Sequence, residues 1–259
     1  MPLPGDPTRP ESLEAFTGWL QRAVETHRPG DAPRIADITR FGARECHTVD
    51  QLLGEGEVCL KLHSDEGPIR IQESVLPGIW RRQERDHQGR LRRDRVEVGE
   101  LPQGVRRPPA PVTAEALRGD TTAPEGVTQA RAILTELADH LARWKPGRPA
   151  HAINLTLLPL SPADLAFLER RLGRGPVETL SRGYGDCRVI STACAGIWWV
   201  RYTNAMGRLI LDTLEVTDIP AVVCAAPEDL EDTRRRLPDL LEELACLASE
   251  TVAEGEAAT

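Results

Sequence analysis

Pro77-Gly78-Ile79-Trp80-Arg81 returns further along the chain as Ala195-Gly196-Ile197-Trp198-Trp199. The offset that lays Trp80 on Trp198 also lays Gly89-Arg90-Leu91 on Gly207-Arg208-Leu209, Glu97-Val98 on Glu215-Val216, and Leu101-Pro102 on Ile219-Pro220. With one more residue of offset, Leu53-Gly54-Glu55-Gly56-Glu57-Val58 meets Leu172-Gly173-Arg174-Gly175-Pro176-Val177. With one fewer, Arg28-Pro29-Gly30 meets Lys145-Pro146-Gly147. A drift of one residue is the trace of an insertion in a surface loop, where length changes are tolerated. Matches that keep one order over so long a span predict a duplicated unit. Two copies of this length do not make a solenoid, which stacks shorter and more numerous repeats. The expected boundaries are residues 1–102 for the first unit, 103–126 for a linker, 127–226 for the second unit and 227–259 for an acidic C-terminal helix and tail. The linker reading rests on Pro108-Pro109, Pro111, Gly119, Pro124 and Gly126, residues that break regular structure.

Each unit opens with apolar residues spaced three and four apart: Leu13, Phe16, Leu20 and Val24, then Ile133, Leu134, Leu137 and Leu141. That spacing puts them on one face of a helix. A short strand follows, clearest in Ile153-Asn154-Leu155-Thr156-Leu157. Ser161-Pro162-Ala163-Asp164 starts a second helix, with Ser at the N-cap, Pro at the first helical position and an acid in the first turn. Gly54 and Gly173 end the second helices, because glycine adopts the left-handed conformation such ends need. The period then falls to two in Val58-Leu60-Leu62, Ile69-Ile71, Val189-Ser191-Ala193 and Leu209-Leu211, the alternation of strands. His87-Gln88-Gly89 and Ala205-Met206-Gly207 read as hairpin tips. The expected fold is α+β: helix, strand, helix, then an antiparallel meander, twice, with helices on one face of the sheet. A last helix starts near Pro227, with Pro238 expected to kink or split it.

The net charge of −8 argues against general nucleic-acid binding, which needs a basic surface to displace counterions. No stretch of roughly 18 consecutive apolar residues is present, so no membrane insertion is expected. The opening Met1-Pro2-Leu3-Pro4-Gly5-Asp6 has neither an apolar core of signal-peptide length nor an Arg-rich amphipathic pattern, and the chain is expected in the cytoplasm. Six cysteines, widely spaced and without a CxxC pair, fit neither a disulfide scaffold nor a zinc finger.

Gly54-x-Gly56 and Gly173-x-Gly175 follow a helix and precede a strand, the reverse of a phosphate-binding loop. Cys187 lies between Asp186 and Arg188 after the turn Gly183-Tyr184-Gly185. A neighbouring arginine can lower a thiol pKa, but no histidine follows nearby to serve as a base. The histidines show no HExxH or HxH spacing, so no metal site, catalytic residue or cofactor is expected. Arg81, Arg82 and Arg85 begin a basic hairpin able to dock an acidic partner. Trp199 follows Trp198, so the two point to opposite faces, and Trp199 is expected outward as a binding anchor. The expected partner-binding residues are Trp199, Tyr184, Arg81, Arg82, Arg85, Arg182 and Arg188.

Leu53 to Val58, Ile71-Gln72-Glu73 and Gly78-Ile79-Trp80-Arg81 look like the first half of the HupH/HyaF/HoxQ hydrogenase expression/formation proteins. Ile153-Asn154-Leu155-Thr156, Leu158-Pro159, Ser161 to Asp164, Ser181 to Arg188 and Ala225 to Asp229 look like the second half. The resemblance implies an accessory, chaperone-like protein without catalysis or cofactor, serving an uptake, membrane-bound [NiFe]-hydrogenase. Its implied partners are the iron–sulfur small-subunit precursor, before twin-arginine export, and other maturation factors. The alternative is a redox or cluster-protecting protein acting through Cys187.

Overall fold

The computed structural model describes residues 7–106, 112–119, 124–145, 147–183 and 185–257, with side chains as far as residue 244. In chain order the elements are α1 (Leu13–Thr26), β1 (Arg34–Asp37), α2 (Ala43–Leu53), β2 (Val58–Ser64), β3 (Gly67–Glu73), β4 (Ile79–Arg85) and β5 (Leu91–Val98). A short α3 (Ala114–Arg118) follows. The order then recurs as α4 (Ala130–Arg143), β6 (His151–Asn154), α5 (Pro162–Leu172), β7 (Val177–Arg182), β8 (Asp186–Ser191), β9 (Ile197–Thr203) and β10 (Leu209–Val216), before α6 (Pro227–Ala257). The fold class is α+β with antiparallel meanders, as the alternating and helical periods require.

Two compact units form, and they do not follow chain order. The first takes the chain up to Glu57, Ile69–Gln103 and everything from Ala225; the second takes Val58–Pro68 and Gly104–Cys224.

In the first unit β3, β4 and β5 form a meander, and β1 returns to pair antiparallel with β5, Arg34 opposite Val98 and Asp37 opposite Arg95. Phe16, Leu20 and Val24 of α1 and Val49, Leu52 and Leu53 of α2 bury against Ile79, Val96 and Val98. Each such side chain removed from water contributes about 1.5–3 kcal/mol. α6 closes this core with Leu237. Arg234 donates to the carbonyls of Val24 (3.1 Å) and His27 (2.6 Å) at the end of α1. Thr233 donates its hydroxyl to Pro77 O (2.8 Å). These anchors flank Pro238 on its N-terminal side, and α6 runs through that proline as one helix instead of splitting.

In the second unit the strand order is β2-β7-β8-β9-β10-β6, all antiparallel. Ile133, Leu134 and Leu137 of α4 and Phe167, Leu168 and Leu172 of α5 bury against Ile153, Ile197, Trp199, Leu214 and Val216. Part of the stretch read as a linker belongs here: α3 buries Leu117 in this core, and Val112 N–H donates to Ala193 O (2.8 Å). The strand expected to reach Leu157 ends at Asn154. Its side chain accepts from Thr156 N–H (3.0 Å) and closes a 3₁₀ turn over Leu155–Leu157, the local competition with the sheet ladder that Asn offers.

The repeated Gly-x-Gly has a steric cause in both units. Gly54 and Gly173 end α2 and α5 at φ of 56° and 59°. Gly56 N–H donates to Glu73 O and Gly175 N–H to Ser191 O, both at 2.8 Å. A side chain at either glycine would collide with backbone, at Ser74 O or Thr192 O. Backbone approach, not a ligand, fixes these residues.

Asp164 does more than the first turn of α5 suggests. It accepts from Ser161 N–H (3.0 Å) and Ser161 Oγ–H (2.8 Å) in its own capping box. It also accepts from the backbone of Thr128, Gln129 and Ala130 (2.8, 2.9 and 3.0 Å) at the start of α4. Burial alone would raise its pKa; the hydrogen bonds from Ala130, Ser161 and Gln129 outweigh it and hold the carboxyl well below the ordinary value. Asp164→Ala should therefore cost roughly 2–4 kcal/mol, two lost caps with their donors left unsatisfied, read as a lower denaturant midpoint. Because the folded pKa is depressed, the carboxylate's contribution is complete above the unfolded-state pKa and is lost as pH falls through the folded one. The stability gap between wild type and Asp164→Asn should accordingly begin to narrow as pH falls below the ordinary carboxylate range, about pH 4, and go on narrowing into strong acid.

Candidate functional site

The basic hairpin β4–β5 is largely neutralised by acids of its own unit. Arg81 donates from Nε and Nη2 to the two carboxylate oxygens of Asp94 (3.0 and 2.8 Å) and from Nη1 to Asp50 of α2. Burial works against its charge, and the two carboxylates more than offset that, raising its pKa. A cleft of about 240 Å³ opens beside it, lined by Asp50, Glu55, Arg70, Gln72 and Gln83, with Arg70 paired to Glu55 (2.9 Å). Arg82 donates to Glu84 (2.9 Å) and Gln103 O (2.8 Å). Arg93 and Arg95 also approach Glu84 (3.1 and 3.7 Å). Arg85 is exposed and donates to Gly89 O (3.0 Å) at the tip.

Trp199 is not outward. It is 6% exposed and sits in the second-unit core, with Nε1 donating to Asp212 and the Arg201 guanidinium stacked 4.4 Å above its ring. Its counterpart Arg81 faces α2, so this strand side is covered by helices in both units and the expectation of exposure fails for that reason. The same offsets match Asp94 to Asp212 and Asp50 to Glu169. Arg201 bridges Asp212 (3.4 Å) and Glu169 (3.1 Å), as Arg81 bridges Asp94 and Asp50. The second unit draws its arginine from two positions further along the strand.

Cys187 is buried opposite Tyr202 of β9. Burial pushes its thiol pKa up, outweighing the hydrogen bond with Tyr202, whose own pKa rises to about 12 through burial and the neighbouring sulfur. A protonated, covered thiol is a poor nucleophile. Arg182 and Arg188 are exposed, Arg188 standing 3.7 Å from Glu178. Tyr184 lies outside the described residues.

One end of the second-unit sheet gathers what remains. Asp186, first in β8, pairs with Arg182 of β7 on one side and with Thr203, last in β9, on the other, so the end of β7 lies at the same end of the sheet as the tip at 204–208. The turn Leu155–Leu157 runs to the same end, where Thr156 Oγ1 accepts from Asp212 N–H (2.8 Å). Here Met206, Leu157, Ile210 and Leu209 are 91%, 79%, 57% and 47% exposed, beside exposed Arg182 and Arg208. In the first unit Asp86 Oδ1 holds the tip by accepting from Gln88 and Arg90 N–H (both 3.0 Å), and Oδ2 binds Arg90 Nε (2.8 Å). In the second unit neutral Asn204 holds the tip in the same way, accepting from Met206 and Arg208 N–H (3.0 and 2.9 Å). Met206 and Ile210 stand where the first unit has Gln88 and Arg92. Sequence reading placed Met206 only in a turn; comparing the two tips position by position exposes the exchange.

Residues 15–120 and again 127–244 match the family described as HupH hydrogenase expression protein, C-terminal conserved region. The chain belongs to this family. It is 42% identical over 224 residues to the hydrogenase expression/formation protein HupH of Rhizobium leguminosarum bv. viciae, spanning 86% of this chain and 79% of that one. It is 42% identical over 246 residues to HoxQ of Azotobacter vinelandii, spanning 94% and 86%. A solved HupH hydrogenase expression protein from Thiobacillus denitrificans shares 31% identity with a TM-score of 0.42, over 44% of this chain and 96% of that one. Among the described residues no helix of this HupH-family chain is long and apolar enough to cross a membrane.

Two outcomes check the geometry. Asp94→Asn should destabilise the protein by about 3 kcal/mol, because Arg81 loses its forked partner while still largely buried; urea unfolding measures it. Maleimide labelling of the native protein at neutral pH, followed by peptide mass mapping, should modify half-buried Cys59 well before Cys187.

Proposed function

We propose that this chain is an accessory protein for maturation of a membrane-bound [NiFe]-hydrogenase, and that it holds the iron–sulfur small-subunit precursor before twin-arginine export. The family membership and relatives named for hydrogenase expression and formation support the maturation role; a further relative, 33% identical, is the hydrogenase-1 operon protein HyaF of Escherichia coli. The observation that carries a binding role is the exchange at the second-unit tip. Exposed apolar side chains beside exposed arginines are the composition of a protein-docking surface, and of the two tips only the second carries Met206 and Ile210. The covered thiol of Cys187 gives no comparable support to redox chemistry. On this reading the protein is an accessory factor without catalysis, acting in the cytoplasm.

Co-purification from cells making the hydrogenase should recover the small-subunit precursor. The double variant Met206→Gln/Ile210→Arg, which restores the first unit's residues at exposed positions, should recover much less of it with an unchanged melting temperature. Recovery of the large subunit alone, or undiminished capture by the variant, would count against the reading.

A further inference from the structure

Glu136 and His140 lie one turn apart on α4, an i, i+4 spacing that puts both on one face. That face meets His151, the first residue of β6. His151 Nε2 is 2.8 Å from Glu136 Oε1, and the two imidazole rings stack with centroids 3.4 Å apart and planes 3° apart. One donor atom from each of the three residues lies within 4.8 Å of the other two. Glu136 is exposed and both histidines are half-buried, so solvent reaches the group while α4 and β6 fix its bases. The neighbouring acid Asp139 is engaged elsewhere, with Arg118 (2.5 Å).

We propose that Glu136, His140 and His151 form a binding site for a divalent first-row transition ion. Two imidazole nitrogens and one carboxylate oxygen are the donor set such ions favour over magnesium or calcium, which take oxygen ligands. Ligands bound at about 2.0–2.2 Å around one ion stand closer together than 4.8 Å, and because an imidazole nitrogen donates in its ring plane, at least one of the two stacked rings must turn out of the parallel arrangement for both to face the same ion. Three protein donors leave at least one coordination position for water or for a ligand from another molecule, the arrangement of an open site as opposed to a purely structural one. Ion binding uses each imidazole through an unprotonated ring nitrogen. The inference stands on second-unit geometry alone and does not rest on the proposed partner.

The test uses the full chain, stripped with a chelator, dialysed, and titrated with zinc by calorimetry and with cobalt by visible absorption. One ion should bind per chain, with cobalt bands of a nitrogen–oxygen site. His140→Ala and His151→Ala should each weaken zinc binding by at least about tenfold, since removing even a group that merely orients a metal ligand does as much. Glu136→Gln, a near-isosteric change at an exposed position, should also weaken it while far-ultraviolet dichroism and melting temperature of the metal-free protein stay unchanged. That variant keeps the test decisive should a histidine variant fail to fold. No binding to the wild type, or affinity unchanged in Glu136→Gln and in the histidine variants that fold, would overturn the site and leave Glu136 and His151 as a simple hydrogen-bonded pair.

Discussion

The second unit is organised around one carboxylate. Asp164 is fully buried, and it accepts hydrogen bonds from the first residues of two different helices, its own α5 and the preceding α4. Helix starts leave N–H groups without intrahelical partners, and burying them unpaired is costly. A single anion at their meeting point satisfies several at once and is favoured by both helix dipoles. With its start fixed there, α4 can direct Ile133, Leu134 and Leu137 into the core and Glu136 and His140 toward β6. The packing and the donor cluster are two faces of one positioned helix.

The two units repeat solutions more faithfully than they repeat residues. Trp80 Nε1 donates to Gly99 O and Trp198 Nε1 to Thr217 O, the same bond at matching positions, and both rings are fully buried. A buried indole must place its N–H on an acceptor, and the turn after the last meander strand supplies one each time. The arginine–carboxylate knot persists although its arginine moves two residues along the strand. What is kept is a cation between two acids beneath the second helix; the position that supplies it is free to change.

Much of the fold was legible because its signals are local. Ser161, Pro162 and Asp164 announce a helix start, Gly54 and Gly173 announce stops, and alternating Val, Leu and Ile announce strands. The failures share one cause. Alternation tells which residues share a face and is silent on which face is covered, so Trp199 read as outward and Arg81 as a free cation. A run of arginines shows charge without its partners, and here α2 brings Asp50 and β5 brings Asp94, while Glu84 of β4 gathers arginines from both strands of the hairpin. Asn154 ended a strand that apolar character alone would have extended. His140 and His151 were two scattered histidines until α4 and β6 came together, because convergence across elements leaves no spacing rule to read.

These placements move the search for function from the interior of the sheet to its end. An anchor must be reachable, and Trp199 is spent on the core; a reactive thiol must ionise, and burial beside Tyr202 opposes that. The first unit cancels its tip charge with Asp86 and keeps Gln88 and Arg92 polar. The second unit has Asn204 in place of that acid, forms the same turn, and exposes Met206 and Ile210. Stability does not call for either apolar residue, since neither is buried and the turn is held by backbone donors in both cases. A change that leaves the fold alone and makes the surface stickier is understandable where another protein is to be held.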